Sequence, residues 1–198
     1  MVAGSDAAGK YKKHVRLFED GSPDQLIKIC DELDEIYTQN KIESPPDQHA
    51  LVESVLRGES KETYLTLMEE ARGTDARGNK NPIDENMLTT AMNKLREMVF
   101  PYRALDKQKI WMKRRMRKPD DLSVRRMSGA VSRMNDKLVY FPGAKTSDKF
   151  NEKELIELIE WSLHPKYREH FEKRGFIPSE NAREALIKEA EIVERDYQ

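Results

Sequence analysis

Residues 100–138, FPYRALDKQKIWMKRRMRKPDDLSVRRMSGAVSRMNDKL, decide the fold class. Pro101 suits a first helical position, where a missing N–H costs nothing. Tyr102, Leu105, Trp111, Met112 and Met116 follow at roughly the three- and four-residue steps of one apolar helical stripe. Pro119 disfavours helical backbone before it, so this helix is expected to stop there. Asp120 or Asp121 can cap a second helix, in which Val124, Met127, Val131, Met134 and Leu138 form the stripe. From Arg103 to Arg126 there are ten Lys/Arg against three Asp, so much of the chain's concentrated positive charge lies here.

Working outward, the same grammar recurs. Ser22-Pro23-Asp24-Gln25 supplies a cap, a first-turn proline and a capping-box glutamine ahead of Leu26, Ile29, Cys30, Leu33, Ile36 and Tyr37. Ser44-Pro45-Pro46 opens a short helix that Gly58 is expected to end, and Ser60 to cap the next. A polar loop with Gly73, Gly78, Asn79 and Asn81 reads as a mobile exposed turn. A long amphipathic helix from Met87 to Val99 follows it. Beyond a second loop, 140–151, come helices over 152–163 and 165–174, then one capped by Ser179 and running towards Arg195. No segment reads as a strand. The expectation is an all-α chain of nine helices.

Composition narrows the function classes. Of the 198 residues, 36% are charged and 37% hydrophobic, which suits modest helical cores. The net charge is −1, so attraction to a polyanion must come from local patches. The single cysteine, Cys30, offers no disulfide framework and sits in an apolar stripe, as a buried small hydrophobe would. Residues 1–13 read as a flexible polar lead without an apolar signal core, and no run has the length of a bilayer span. His14, His49, His164 and His170 lack partners at metal-ligand spacing, and no nucleophile elbow or phosphate-cradling loop occurs. No catalytic residue, cofactor or metal is expected. Lys113, Arg114, Arg115, Arg117 and Lys118 have two readings, the wet side of a helix or a weak, salt-sensitive, sequence-independent contact to RNA.

Several short motifs, in order, resemble the Gag capsid region of LTR retrotransposons of copia or gypsy type. Phe18-Glu19-Asp20-Gly21-Ser22-Pro23 resembles the family's opening aromatic–glycine–proline segment. Leu56-Arg57-Gly58-Glu59-Ser60 with Tyr64 is similar to its leucine–arginine–glycine motif. Phe100-Pro101-Tyr102-Arg103-Ala104-Leu105 with Gln108, Lys109 and Trp111 resembles the segment leading out of the first lobe. Ser123-Val124-Arg125-Arg126-Met127 resembles the helix opening the second. Glu154-Leu155-Ile156-Glu157 and Trp161-Ser162-Leu163-His164-Pro165 resemble the acidic–aliphatic helix and the turn after it. The likeness spans about Arg16 to Glu194, and the family's zinc knuckle, Cys-x2-Cys-x4-His-x4-Cys, does not occur.

The resemblance implies two small helical lobes, 14–117 and 118–198, like the N- and C-terminal domains of retroviral capsids. Lys118, Pro119 and Asp120 would form the hinge. It implies a structural, non-enzymatic protein that self-assembles through weak repeated contacts into cytoplasmic particles around element RNA. Its partners would be itself and weakly held RNA, with no membrane and no small-molecule substrate. Lobe pairing would use the helix over 152–163, with Trp161, Ile156 and Tyr167 as contact residues. Trp161 lies about 200° around that helix from Ile159, so it is either covered by Tyr167 and Phe171 or exposed to a partner. The alternative is a captured Gag-derived adaptor or non-specific nucleic-acid binder that forms no shell.

Overall fold

A computed structural model describes residues 17–18 and 21–196, and the proposed lead over 1–13 lies outside them. The described residues form nine α-helices and no strand. They divide into two compact units, one running to Tyr102 and also including Tyr140–Gly143, the other comprising Arg103–Val139 and the chain from Ala144 onward.

The first unit holds α1 (Pro23–Asn40), α2 (Pro45–Val55), α3 (Gly58–Arg72) and α4 (Glu85–Val99). Proline occupies the first turn of both α1 and α2, where its fixed φ favours the helix. Lys41 ends α1 in the left-handed region at φ 54°. Ile42 N–H reaches back to Tyr37 O at 2.9 Å, and the Ile42 side chain is buried. That is a Schellman end, built on lysine where glycine is usual. Gly58 opens α3 at φ 52° instead of closing α2, so Ser60 lies inside α3 and does not cap it. The loop after α3 is exposed but organised: Asp75 Oδ1 accepts from the backbone N–H of Arg77 and of Asn79, each at 2.8 Å. Phe18, Leu26, Ile29, Leu56 and Tyr64 are among the largest fully buried side chains of this core.

The segment Tyr140–Gly143 returns to this unit from a chain otherwise belonging to the second. Tyr140 Oη donates to Asp34 Oδ2 at 2.8 Å, Arg96 lies 6.0 Å from the Tyr140 ring centre, and the Phe141 and Phe100 rings are 5.0 Å apart. Burial raises the Asp34 pKa, and the Tyr140 hydroxyl and Arg96 only partly offset it. Burial likewise raises that of Cys30, whose Sγ is 3.6 Å from Arg96 Nη2.

His49 gives this unit a pH dependence. Its Nδ1 lies 3.0 Å from Tyr64 Oη, and burial lowers its pKa. The unfolded chain therefore binds more protons between the two pKa values, so stability falls as pH drops below the ordinary histidine value of about 6.5. Urea unfolding followed at about pH 7.5 and about pH 5.5 should show that loss, and His49→Gln should flatten it. An equal loss in the variant would assign the dependence elsewhere.

The second unit holds α5 (Ala104–Arg114), α6 (Val124–Asp136), α7 (Glu152–Ser162), α8 (Pro165–Lys173) and α9 (Arg183–Asp196). α7 is its hub, packing against α5, α6 and α9. Its N-terminus carries a reciprocal capping box between Asn151 and Glu154. Val124, Val131, Leu138, Ile159, Leu163 and Leu186 form the driest part of the core.

Several expectations change in this unit. Ser179 lies in the short turn Pro178–Glu180, ahead of α9, and does not cap that helix. α5 begins at Ala104, after Arg103 in the left-handed region, and stops at Arg114. The cap of α6 is Ser123, not Asp120 or Asp121. The division between units falls between Tyr102 and Arg103, so Lys118, Pro119 and Asp120 lie inside the second unit and are not the junction. The physical reason is packing: Met112 and Met116 are buried, α5 packs on α7, and the backbone N–H of Lys118 donates to Ser162 O at 2.8 Å.

Candidate functional site

Helical phase and pairing sort the basic cluster. Lys118 is drawn inward: its Nζ is 3.2 Å from Glu194 Oε1, and the two side chains are 8% and 16% exposed. The same Glu194 oxygen accepts from the backbone N–H of Val124 at 2.9 Å, so the carboxylate also answers the positive end of α6. Lys118 is thus a structural residue, which corrects its assignment to RNA. Lys113 Nζ stands 5.1 Å from the Phe150 ring centre and 3.6 Å from Glu154 Oε1. Arg117 is exposed but donates to Met116 O at 2.7 Å. Arg114 and Arg115 are exposed and have no ion pair among the described residues.

The stripe along α5 also divides differently from the sequence expectation. Met112 and Met116 are buried, whereas Trp111 is 42% exposed, Ile110 is half-exposed and Tyr102 is exposed. The Trp111 ring has no ring or cation partner among the described residues. Lys107, Ile110, Trp111 and Arg114 are all exposed, at steps of three, four and seven. That spacing sets them within an arc of roughly 100°. The signal was present in the sequence, but a tryptophan beside a methionine stripe reads as core because large rings are usually well buried.

On α7 the apolar residues outnumber one stripe because the helix is covered on several sides. Leu155, Ile156, Leu158, Ile159 and Ser162 are buried. Ile156 and Tyr167 therefore belong to the core of this unit and cannot serve as contact residues, a correction to the proposed pairing set. Trp161 is 56% exposed. Neither Tyr167 nor Phe171 covers it; instead the Arg168 guanidinium lies 4.8 Å from its ring centre, while Arg168 Nη1 donates to Leu163 O at 3.2 Å. Burial raises the pKa of neighbouring Glu160, with Arg168 opposing the shift. The result is an aromatic–guanidinium pair on an outward helical face.

The described histidines take local structural roles, and His14 lies outside the described residues. His164 Nδ1 accepts from the Lys166 backbone N–H at 3.3 Å at the start of α8, and His170 Nε2 lies 3.1 Å from Glu189 Oε1. Among the described residues no group of three or more His, Cys, Asp or Glu is arranged to hold a metal ion, and no helix is long and apolar enough to cross a membrane. No protein-family model matches the chain, and neither does a curated protein or a solved structure.

Proposed function

We propose that the chain is a structural, capsid-like protein that associates with copies of itself and encloses RNA. The observation that carries this reading is Trp161. A large ring is left 56% exposed on the outward face of a helix whose other sides are fully used by the core. Its pairing with Arg168 places the two residue types richest in interface anchors side by side. The ordered likeness to Gag capsid segments supports the same reading, as does the all-α architecture in two compact units. A contact made by one exposed tryptophan is weak alone. Repeated with symmetry it gains strength through avidity, so assembly rises steeply with concentration.

The test is electron microscopy of the purified chain at raised protein and salt concentration. Shells, tubes or sheets of regular lattice are expected, since salt screens the repulsion between charged copies. A dispersed monomer at every concentration would remove the assembly reading.

A further inference from the structure

We propose that the outward face of α5 is a contact surface for single-stranded nucleic acid. Trp111 is its stacking platform, and Lys107, Arg114 and Arg115 are its phosphate contacts. This deepens the RNA half of the function proposed above, and rests on it only for the identity of the strand as RNA.

The two exposed tryptophans are in different states. The ring of Trp161 already carries the Arg168 guanidinium 4.8 Å away, whereas Trp111 offers its ring with no ring or cation partner among the described residues. Around Trp111 the cations are equally uncommitted: Lys107, Arg114 and Arg115 are exposed and make no ion pair among the described residues. Asp106, the single acid within α5, is held by Arg103 at 2.9 Å. The face is therefore a free aromatic ring set among unneutralised positive charges, over about 10 Å of helix from Lys107 to Arg114.

A single strand supplies both complements at once. Its bases present π faces to an aromatic ring, and its phosphates meet the flanking cations. A duplex offers the phosphates but keeps its bases stacked inside. A second copy of the chain in a symmetric contact would place these same cations against one another. A membrane surface would need a broader apolar face than Ile110 and Trp111 provide.

The chain's only two tryptophans are Trp111 and Trp161, so Trp161→Phe leaves Trp111 as the sole indole. Dilute Trp161→Phe protein is titrated with a short oligouridylate, with polyphosphate, and with vesicles of phosphatidylcholine and phosphatidylserine. Oligouridylate is expected to quench the Trp111 emission, and polyphosphate to leave it nearly unchanged. In anisotropy with labelled oligouridylate, Trp111→Leu should bind about 10-fold more weakly than the parent, and Trp111→Phe should recover part of that loss. Lys107→Gln with Arg114→Gln, both at exposed positions, should lower the slope of log affinity against log salt by about 1.4.

Oligouridylate binding without quenching, or an equal response to polyphosphate, would reduce the surface to charge alone and overturn the stacking assignment. A response to vesicles and none to oligouridylate would make it a membrane face and overturn it as well, as would no binding at all. Because the protein is dilute, the result stands whether or not the chain assembles, so a failed titration and a failed assembly experiment are distinguishable.

Discussion

Replacing Phe18 by alanine is expected to destabilise the first unit by about 3–5 kcal/mol, the usual cost of deleting a fully buried ring. Phe18 is 1% exposed. Its backbone is pinned on both sides, with its N–H donating to Val55 O at 2.9 Å and its carbonyl accepting from Arg57 N–H at 2.7 Å. The ring also fits closely beneath Gly21: a Cβ built there would meet Phe18 Cε2 at 2.6 Å and Gln25 Oε1 at 2.2 Å. With the ring gone, the backbone bonds hold the segment in place and the cavity cannot collapse fully, which sets the large cost. Both tryptophans lie in the second unit, so the loss should be read by hydrogen exchange in α1 and α2. Protection there that falls by less than about 1 kcal/mol would show that Phe18 is not part of the cooperative core.

The second large effect belongs to Asn135. This side chain is 5% exposed, and it answers both backbone groups of Phe150: the Phe150 N–H donates to Oδ1 at 2.7 Å, and Nδ2 donates to the Phe150 carbonyl at 3.0 Å. Phe150 is itself buried, so water cannot readily replace either bond. Asn135→Ala leaves a donor and an acceptor orphaned, at roughly 1–3 kcal/mol each, for a loss of about 2–6 kcal/mol. The Arg125 network is the control. Arg125 bridges Glu184 at 2.8 Å and Glu191 at 2.9 Å, but in open solvent. Arg125→Ala should leave the midpoint of urea unfolding close to the parent's, because screened surface pairs contribute little. Tryptophan emission follows both variants in the second unit. Equal midpoints for Asn135→Ala and Arg125→Ala would contradict the ranking of buried over exposed polar contacts.

Local chemistry made the helices legible, and distance in sequence hid most of the rest. Ser22-Pro23 and Ser44-Pro45-Pro46 mark helix starts that the structure places there, because proline geometry acts within one turn. Neither serine side chain makes a cap hydrogen bond, so the expected capping box with Gln25 does not form. Pro119 lies in the non-helical stretch between α5 and α6, beyond a helix that has already ended at Arg114, and the division between units falls instead after Tyr102. The return of Tyr140 and Phe141 to the first unit has no local signature. It depends on a hydroxyl meeting Asp34, 106 positions away. Lys118 reads as one cation among many until Glu194 is seen beside it. Trp111 and Trp161 illustrate the same limit for the sites. Periodicity gives the angle of a ring around its helix, and only the neighbouring helices determine which angles face the core.

The measurement that bears most directly on the account is sedimentation velocity of the parent chain and Trp161→Ala over a concentration series. The account predicts a parent whose weight-average sedimentation coefficient climbs with concentration, and a Trp161→Ala variant that stays monomeric with an unchanged urea midpoint. The exposed ring would then be an anchor for association and no part of the core. A variant that associates as the parent does would contradict the account, as would a parent that remains monomeric throughout.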